Sequence, residues 1–145
     1  RGTEIIFGAD KKGERLELSG KLDKVEFIDD NNVIVTDYKT GKPKSRNDIE
    51  GKTASSNGNY KRQLVFYKLL LEGGKFQMKY GEIDFVEPNA RGIYKKERFE
   101  IKDEEIDELK KTIIKVAKSI LNMSFAGSSC DDQDCQYCKL GQVLG

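Results

Sequence analysis

The 145 residues carry 26 basic and 25 acidic side chains and no histidine, so the overall charge singles out no polyanionic or polycationic partner. The length suits one domain around a single core, and no run of about 18 apolar residues exists to cross a membrane. Three cysteines, an odd number gathered near the end, suit a reducing cytoplasmic setting better than a disulfide scaffold.

In chain order, residues 3–9 read as a first strand, followed by a Lys-Lys-Gly turn. The next two strand-like stretches read as one hairpin. Leu16, Leu18 and Leu22 alternate with polar residues, and Val25 and Phe27 share the other face with Asp23. In the second strand Val33 and Val35 share a face with Asp37 and Lys39, because side chains two apart point the same way. Between them lies Asp29-Asp30-Asn31-Asn32, a cluster of turn formers. Folding there pairs Phe27 with Val33 and Val25 with Val35, a register that sets Asp23 opposite Asp37 with Cβ atoms roughly 5 Å apart. Facing carboxylates on a half-buried surface repel, so a compensating divalent cation with oxygen ligands is expected, with Lys39 one pleat further along.

A polar loop over 42–59 follows. From Lys39 to Arg62 seven basic residues stand against Asp48 and Glu50, interleaved with Gly, Ser and Asn, as in a basic loop able to hold a phosphate backbone. A helix over 60–72 ends at Gly73-Gly74. It is apolar on most sides, yet Gln63 and Tyr67, four apart, share one face and can donate hydrogen bonds to a phosphate or orient site carboxylates. Residues 77–86 alternate as a strand, 88–92 form a loop, and 93–101 form another strand. A final helix over 103–123 carries Ile106, Leu109, Ile113, Val116, Ala117 and Ile120 on one stripe. These elements predict an α/β (α+β) domain with a mixed central sheet flanked by helices.

Three segments, taken together, resemble the nuclease domain of the PD-(D/E)XK superfamily, specifically its RecB-like branch: Gly20-Lys21-Leu22-Asp23-Lys24-Val25, then Val35-Thr36-Asp37-Tyr38-Lys39-Thr40-Gly41, then Gln63 through Tyr67. That branch includes the C-terminal nuclease modules of helicase-nucleases and the CRISPR-associated adaptation nucleases. The resemblance implies a restriction-endonuclease-like core and a single nuclease domain over 1–145, with a cysteine-containing tail at 124–145. It implies that Asp23, Asp37 and the Tyr38 carbonyl hold Mg²⁺ or Mn²⁺. Lys39 would orient the attacking water or stabilise charge on the phosphate, while Gln63 and Tyr67 would position DNA or the acids. Its implied partners are DNA and helicase domains of the same or a partner chain, in repair or recombination. The chemistry is sound in itself, since Mg²⁺ takes oxygen ligands at about 2.0–2.1 Å and retains waters, one of which can act as nucleophile.

Two features depart from the pattern. The branch usually brings a metal-binding histidine from a helix ahead of the first strand, and this chain contains no histidine. The chain opens on Arg1-Gly2 without Met and is read as a fragment lacking that N-terminal helix. In the tail, Cys130, Cys135 and Cys138 resemble the iron–sulfur motif of some relatives but lack a fourth cysteine, so no cluster is expected there. The competing function is a nuclease-like module without activity that binds DNA or docks a helicase.

Overall fold

A computed structural model describes residues 2–7 and 14–124, with side chains from residue 15 onward. Among the described residues nine elements follow one another: β1 (Gly2–Phe7), β2 (Glu14–Ser19), β3 (Lys24–Phe27), β4 (Asn32–Lys39), α1 (Arg46–Ile49), α2 (Asn59–Leu71), β5 (Gln77–Phe85), β6 (Lys95–Phe99) and α3 (Asp103–Leu121). Strands β1 and β2 form an antiparallel pair. The remaining strands form one sheet in the order β3-β4-β5-β6, in which β4 and β5 are parallel and the outer pairings antiparallel. A parallel pair needs a crossover, and α2 supplies it. The result is a mixed α/β fold consistent with a restriction-endonuclease-like core.

The hairpin register is the one the apolar pattern predicts, with Val25 opposite Val35 and Phe27 opposite Val33. Its turn is held by Asp29, whose Oδ1 accepts from the backbone N–H of Asn31 at 2.9 Å and of Asn32 at 2.8 Å. Those backbone bonds, together with the Asn32 side chain, hold the Asp29 carboxyl below its ordinary pKa. The first arm, however, is two strands rather than one. β2 ends at Ser19 and β3 begins at Lys24, because the chain passes from one sheet to the other through Gly20. A Cβ at Gly20 would stand 2.6 Å from Leu70 Cδ1, so a larger residue there requires the leucine tip on α2 to move.

The loop over 42–59 is not wholly irregular either. Ser45 and Asp48 form a capping box that starts the single turn α1, and Ile49 buries completely beneath it. The core lies between the sheet and α2. Val33, Val35, Ile83, Phe85 and Phe99 meet Leu64, Leu69 and Leu70, all at 1% exposure or less. α2 lies close on the sheet because β5 carries Gly81 beneath Leu64, where an added Cβ would come within 3.1 Å of Leu64 Cβ.

The chain divides into two compact units, Arg1–Lys110 and Lys111–Gly145, with the division inside α3. In the first unit Ile106 is buried, and Lys61 pairs with Glu105 at 2.6 Å. In the second, Val116 and Ile120 of the expected stripe are more than half exposed. Among the described residues no helix is long and apolar enough to cross a membrane. Cys130, Cys135 and Cys138 lie outside the described residues.

Candidate active site

β4 enters the core as a run of alternating apolar residues and finishes with charged ones. Val33 and Val35 are fully buried, and the same face continues to Asp37, 1% exposed, and then to Lys39 at the strand's C-terminal end. Ionising a carboxyl this deep requires partners, and α2 provides two of them. Gln63 Nε2 and the Tyr67 hydroxyl donate to Asp37 Oδ1 at 2.6 and 2.9 Å, and Gln63 Nε2 also lies 2.7 Å from the Tyr67 hydroxyl. The four-residue spacing on one helix face is what lets both side chains reach a single oxygen.

Lys39 completes the cluster. Its ammonium donates to Gln63 Oε1 at 2.6 Å and stands 2.7 Å from Asp37 Oδ2. That second approach is a charge contact rather than a hydrogen bond. Asp37 Oδ2 is fully buried, and among the described residues its close partner is this ammonium, which pairs with it by charge. Lys39 therefore neutralises the aspartate while leaving a lone pair on Oδ2 unused. The charge of Asp37 is thus balanced by Lys39, from within the strand.

Asp23 takes a different position. It precedes β3, beyond the last ladder pair Lys24–Thr36, and is exposed. Its Oδ2 accepts the Tyr38 N–H at 3.1 Å, which ties it to the β4 residue next to Asp37. The Tyr38 side chain, 41% exposed, belongs to the opposite face of the sheet, so any part it plays at this site is through its backbone. Asp37, Lys39, Gln63 and Tyr67 are thus joined by direct contacts, and Asp23 joins them at the rim through the Tyr38 amide.

Burial and the hydrogen bond to Asp37 push the Tyr67 hydroxyl from 10.0 up to about 12, so it remains a protonated donor at neutral pH. Tyr60, one turn before Gln63, was not anticipated. Its ring carries the Lys39 ammonium 4.7 Å from the centroid and packs near Phe85 at 6.2 Å. The signal was present in the sequence, since Tyr60, Gln63 and Tyr67 sit at i, i+3 and i+7 on one helix face.

The donor set bears on a metal in two ways. Asp37 Oδ2, the exposed Asp23 carboxylate and the nearby Tyr38 backbone are all hard oxygen donors, the kind magnesium and manganese favour. Only two acids contribute, and among the described residues no group of three or more His, Cys, Asp or Glu side chains could enclose an ion. An open site of this composition would take its remaining ligands from water and substrate.

The family model of the PD-(D/E)XK nuclease superfamily matches residues 1–143. No curated protein and no solved structure matches the chain.

Proposed function

The chain belongs to the PD-(D/E)XK nuclease superfamily, whose members generally hydrolyse phosphodiester bonds of DNA with divalent metals, and from that premise we propose that it is a metal-dependent deoxyribonuclease domain. The observation that carries the proposal is the state of Asp37. It is a buried carboxylate with one oxygen fixed by Gln63 and Tyr67, the other without a hydrogen bond, and a lysine alongside. A carboxylate and a lysine buried together at a strand end, both oriented by one helix, are costly to keep and mark a functional site.

Asp37 Oδ2, Asp23 and the Tyr38 carbonyl would hold the metal, which when bound lowers the pKa of water and balances phosphate charge. The protein's own residues do the rest. Gln63 and Tyr67 hold Asp37 Oδ1, so the orientation of its second oxygen, beside Lys39, is fixed in advance. Lys39, tethered to Gln63 and resting on Tyr60, places a cation where charge grows on the phosphate as the water oxygen adds and the P–O bond breaks. Tyr67, neutral at working pH, keeps its proton as a donor throughout.

The order of Asp23, Asp37-Tyr38-Lys39 and Gln63…Tyr67 supports the RecB-like branch and, with it, work beside a helicase in repair or recombination. Magnesium or manganese is the metal this oxygen set supports. The test is cleavage of single- and double-stranded DNA with either ion, comparing wild type with Asp37→Asn and Lys39→Met. Cleavage abolished in both variants supports the proposal, and cleavage persisting in Asp37→Asn contradicts it. One observation favours a second reading, an inactive module that binds DNA: only two acids stand at the site. DNA binding by wild type without cleavage under any metal would select that reading.

A further inference from the structure

Next to Tyr60 lies a cavity of about 420 Å³ whose lining includes Lys44, Asp48, Ser55, Asn57, Asn59 and Tyr60. Tyr60 joins it to the Asp37 cluster, because the Lys44 ammonium stands 4.8 Å from the centroid of the same ring that carries Lys39. Lys44 is set in place at both ends of the residue: its carbonyl accepts from Lys95 Nζ of β6 at 2.9 Å, and its side chain rests on the ring.

The polar groups of this cavity sort by what they have left to offer. Asp48 is the one acid among the lining residues, and its oxygens are engaged within the loop. Oδ2 accepts from the Ser45 hydroxyl at 2.5 Å and the Ser45 N–H at 3.2 Å, and Oδ1 accepts from the Thr53 hydroxyl at 2.6 Å. The two asparagine amides are oriented by their neighbours. Asn57 Oδ1 accepts the Asn59 N–H at 3.2 Å, and Asn59 Oδ1 accepts from Arg62 at 2.7 Å. Arg62 also donates to the Asn57 carbonyl at 2.9 Å, which fixes that stretch of the loop. With their oxygens engaged, both amides keep NH₂ groups with protons to donate. The remaining groups are therefore donors: the Lys44 ammonium, the Ser55 hydroxyl and two amide NH₂ groups. A cavity rich in donors, holding a cation and an aromatic ring, fits an anionic acceptor.

We infer that this cavity is a second phosphate subsite, in which Lys44, Asn57 and Asn59 grip a backbone phosphate flanking the one to be cut while Tyr60 fixes Lys44 and Lys39 on a common ring. The inference rests on the nuclease reading above and gives it a mode of substrate positioning. It makes Lys44 and Tyr60 positioning residues: Lys44 acts on the strand beside the reaction, and Tyr60 acts through the two lysines.

The experiment is a binding scan on the whole 145-residue chain without divalent metal, so that no chemistry intervenes. The probes are fluorescein-labelled single-stranded oligonucleotides in which one phosphate at a time is replaced by a neutral methylphosphonate. In wild type, neutralising one particular phosphate should weaken binding roughly fivefold, the scale of a single exposed ionic contact. In Lys44→Gln the same replacement should cost nothing, and the dependence of affinity on salt should lose about one phosphate's share. Lys44→Arg should restore both, and Tyr60→Leu should resemble Lys44→Gln with an unchanged far-ultraviolet circular dichroism spectrum. Identical scans in wild type and Lys44→Gln would overturn the inference while leaving the nuclease reading intact if Asp37→Asn still abolishes cleavage. Absence of oligonucleotide binding by wild type would overturn the inference, while the nuclease reading stands or falls on metal-supported cleavage and its loss in Asp37→Asn.

Discussion

Tyr67 is 6% exposed, and its hydroxyl hydrogen-bonds to a carboxylate, which makes it the most readable ionisation at the site. Its pKa stands at about 12 in the fold against 10.0 in a free side chain, through burial first and the Asp37 hydrogen bond second. A group whose pKa rises on folding contributes stability that is complete below pH 10 and is lost as pH climbs toward 12. Tyrosinate absorbance of the folded protein should thus include a step near pH 12 that Tyr67→Phe removes. A titration left unchanged there by Tyr67→Phe would contradict the packing assigned to Tyr67. At this scale the sequence was informative where spacing carried the message. Asp37 and Lys39 lie two apart on a strand and Gln63 and Tyr67 four apart on a helix, so each pair shares a face. Tyr60 was obscured because an aromatic at the start of an apolar helix reads as core. The neutralisation of Asp37 by Lys39 was obscured because pattern gives faces, not which charge touches which.

Among the elements, α2 decides the geometry of the site, since it carries Gln63, Tyr67 and Tyr60 to the end of β4. Its seating depends on Gly81. A methyl group there would meet Met78 Cε at 2.7 Å and Leu64 Cβ at 3.1 Å, and although the methionine tip can move, the helix must shift to free Leu64. Gly81→Ala should therefore lower stability by about 1–3 kcal/mol in urea unfolding, the usual cost of overpacking a core. It should also bring the Tyr67 titration back toward 10, because the shift loosens its contact with Asp37. Full stability with an unmoved titration would show that α2 is not seated by this contact. The bounds of α2, β5 and α3 followed from glycine stops, alternation and helical period. The turn α1 did not, because four residues are too few to display a period, although its Ser45…Asp48 capping box was written in the sequence. The break between β2 and β3 was missed because alternation runs across it, and only the nearness of Leu70 to Gly20 shows why the chain turns there.

At the scale of the first unit, the sheet's two faces have different characters. Behind Asp37, Thr36 and Glu82 are buried register partners: Glu82 accepts from Thr36 at 3.1 Å and from Arg98 Nε at 2.8 Å, with Lys96 at 3.4 Å. Burial pushes the Glu82 pKa up, but the Arg98 hydrogen bond and the Lys96 charge outweigh it and hold the carboxyl below its ordinary 4.5. A lowered carboxyl contributes stability above that value and loses it as pH falls through the folded pKa, so acid unfolding should be steeper in wild type than in Glu82→Gln below pH 4.5. Equal acid limbs would contradict the pairing. The mixed sheet was foreseeable in outline, since a strand, a helix and a strand in succession imply a parallel crossover. The separation of β1 and β2 into their own sheet was not, because alternation gives a strand's faces and not which sheet it joins.

The central proposal is that Asp37 Oδ2, beside Lys39, and the carboxylate of Asp23 hold a divalent cation. Isothermal calorimetry with Mn²⁺ on wild type, Asp23→Ala and Asp37→Asn tests it most directly, with thermal unfolding in the same buffers reporting the linked gain in stability. The expected result is binding and a raised Tm for wild type, both lost in each variant. Undiminished Mn²⁺ binding by Asp37→Asn, or none by wild type, would contradict the account.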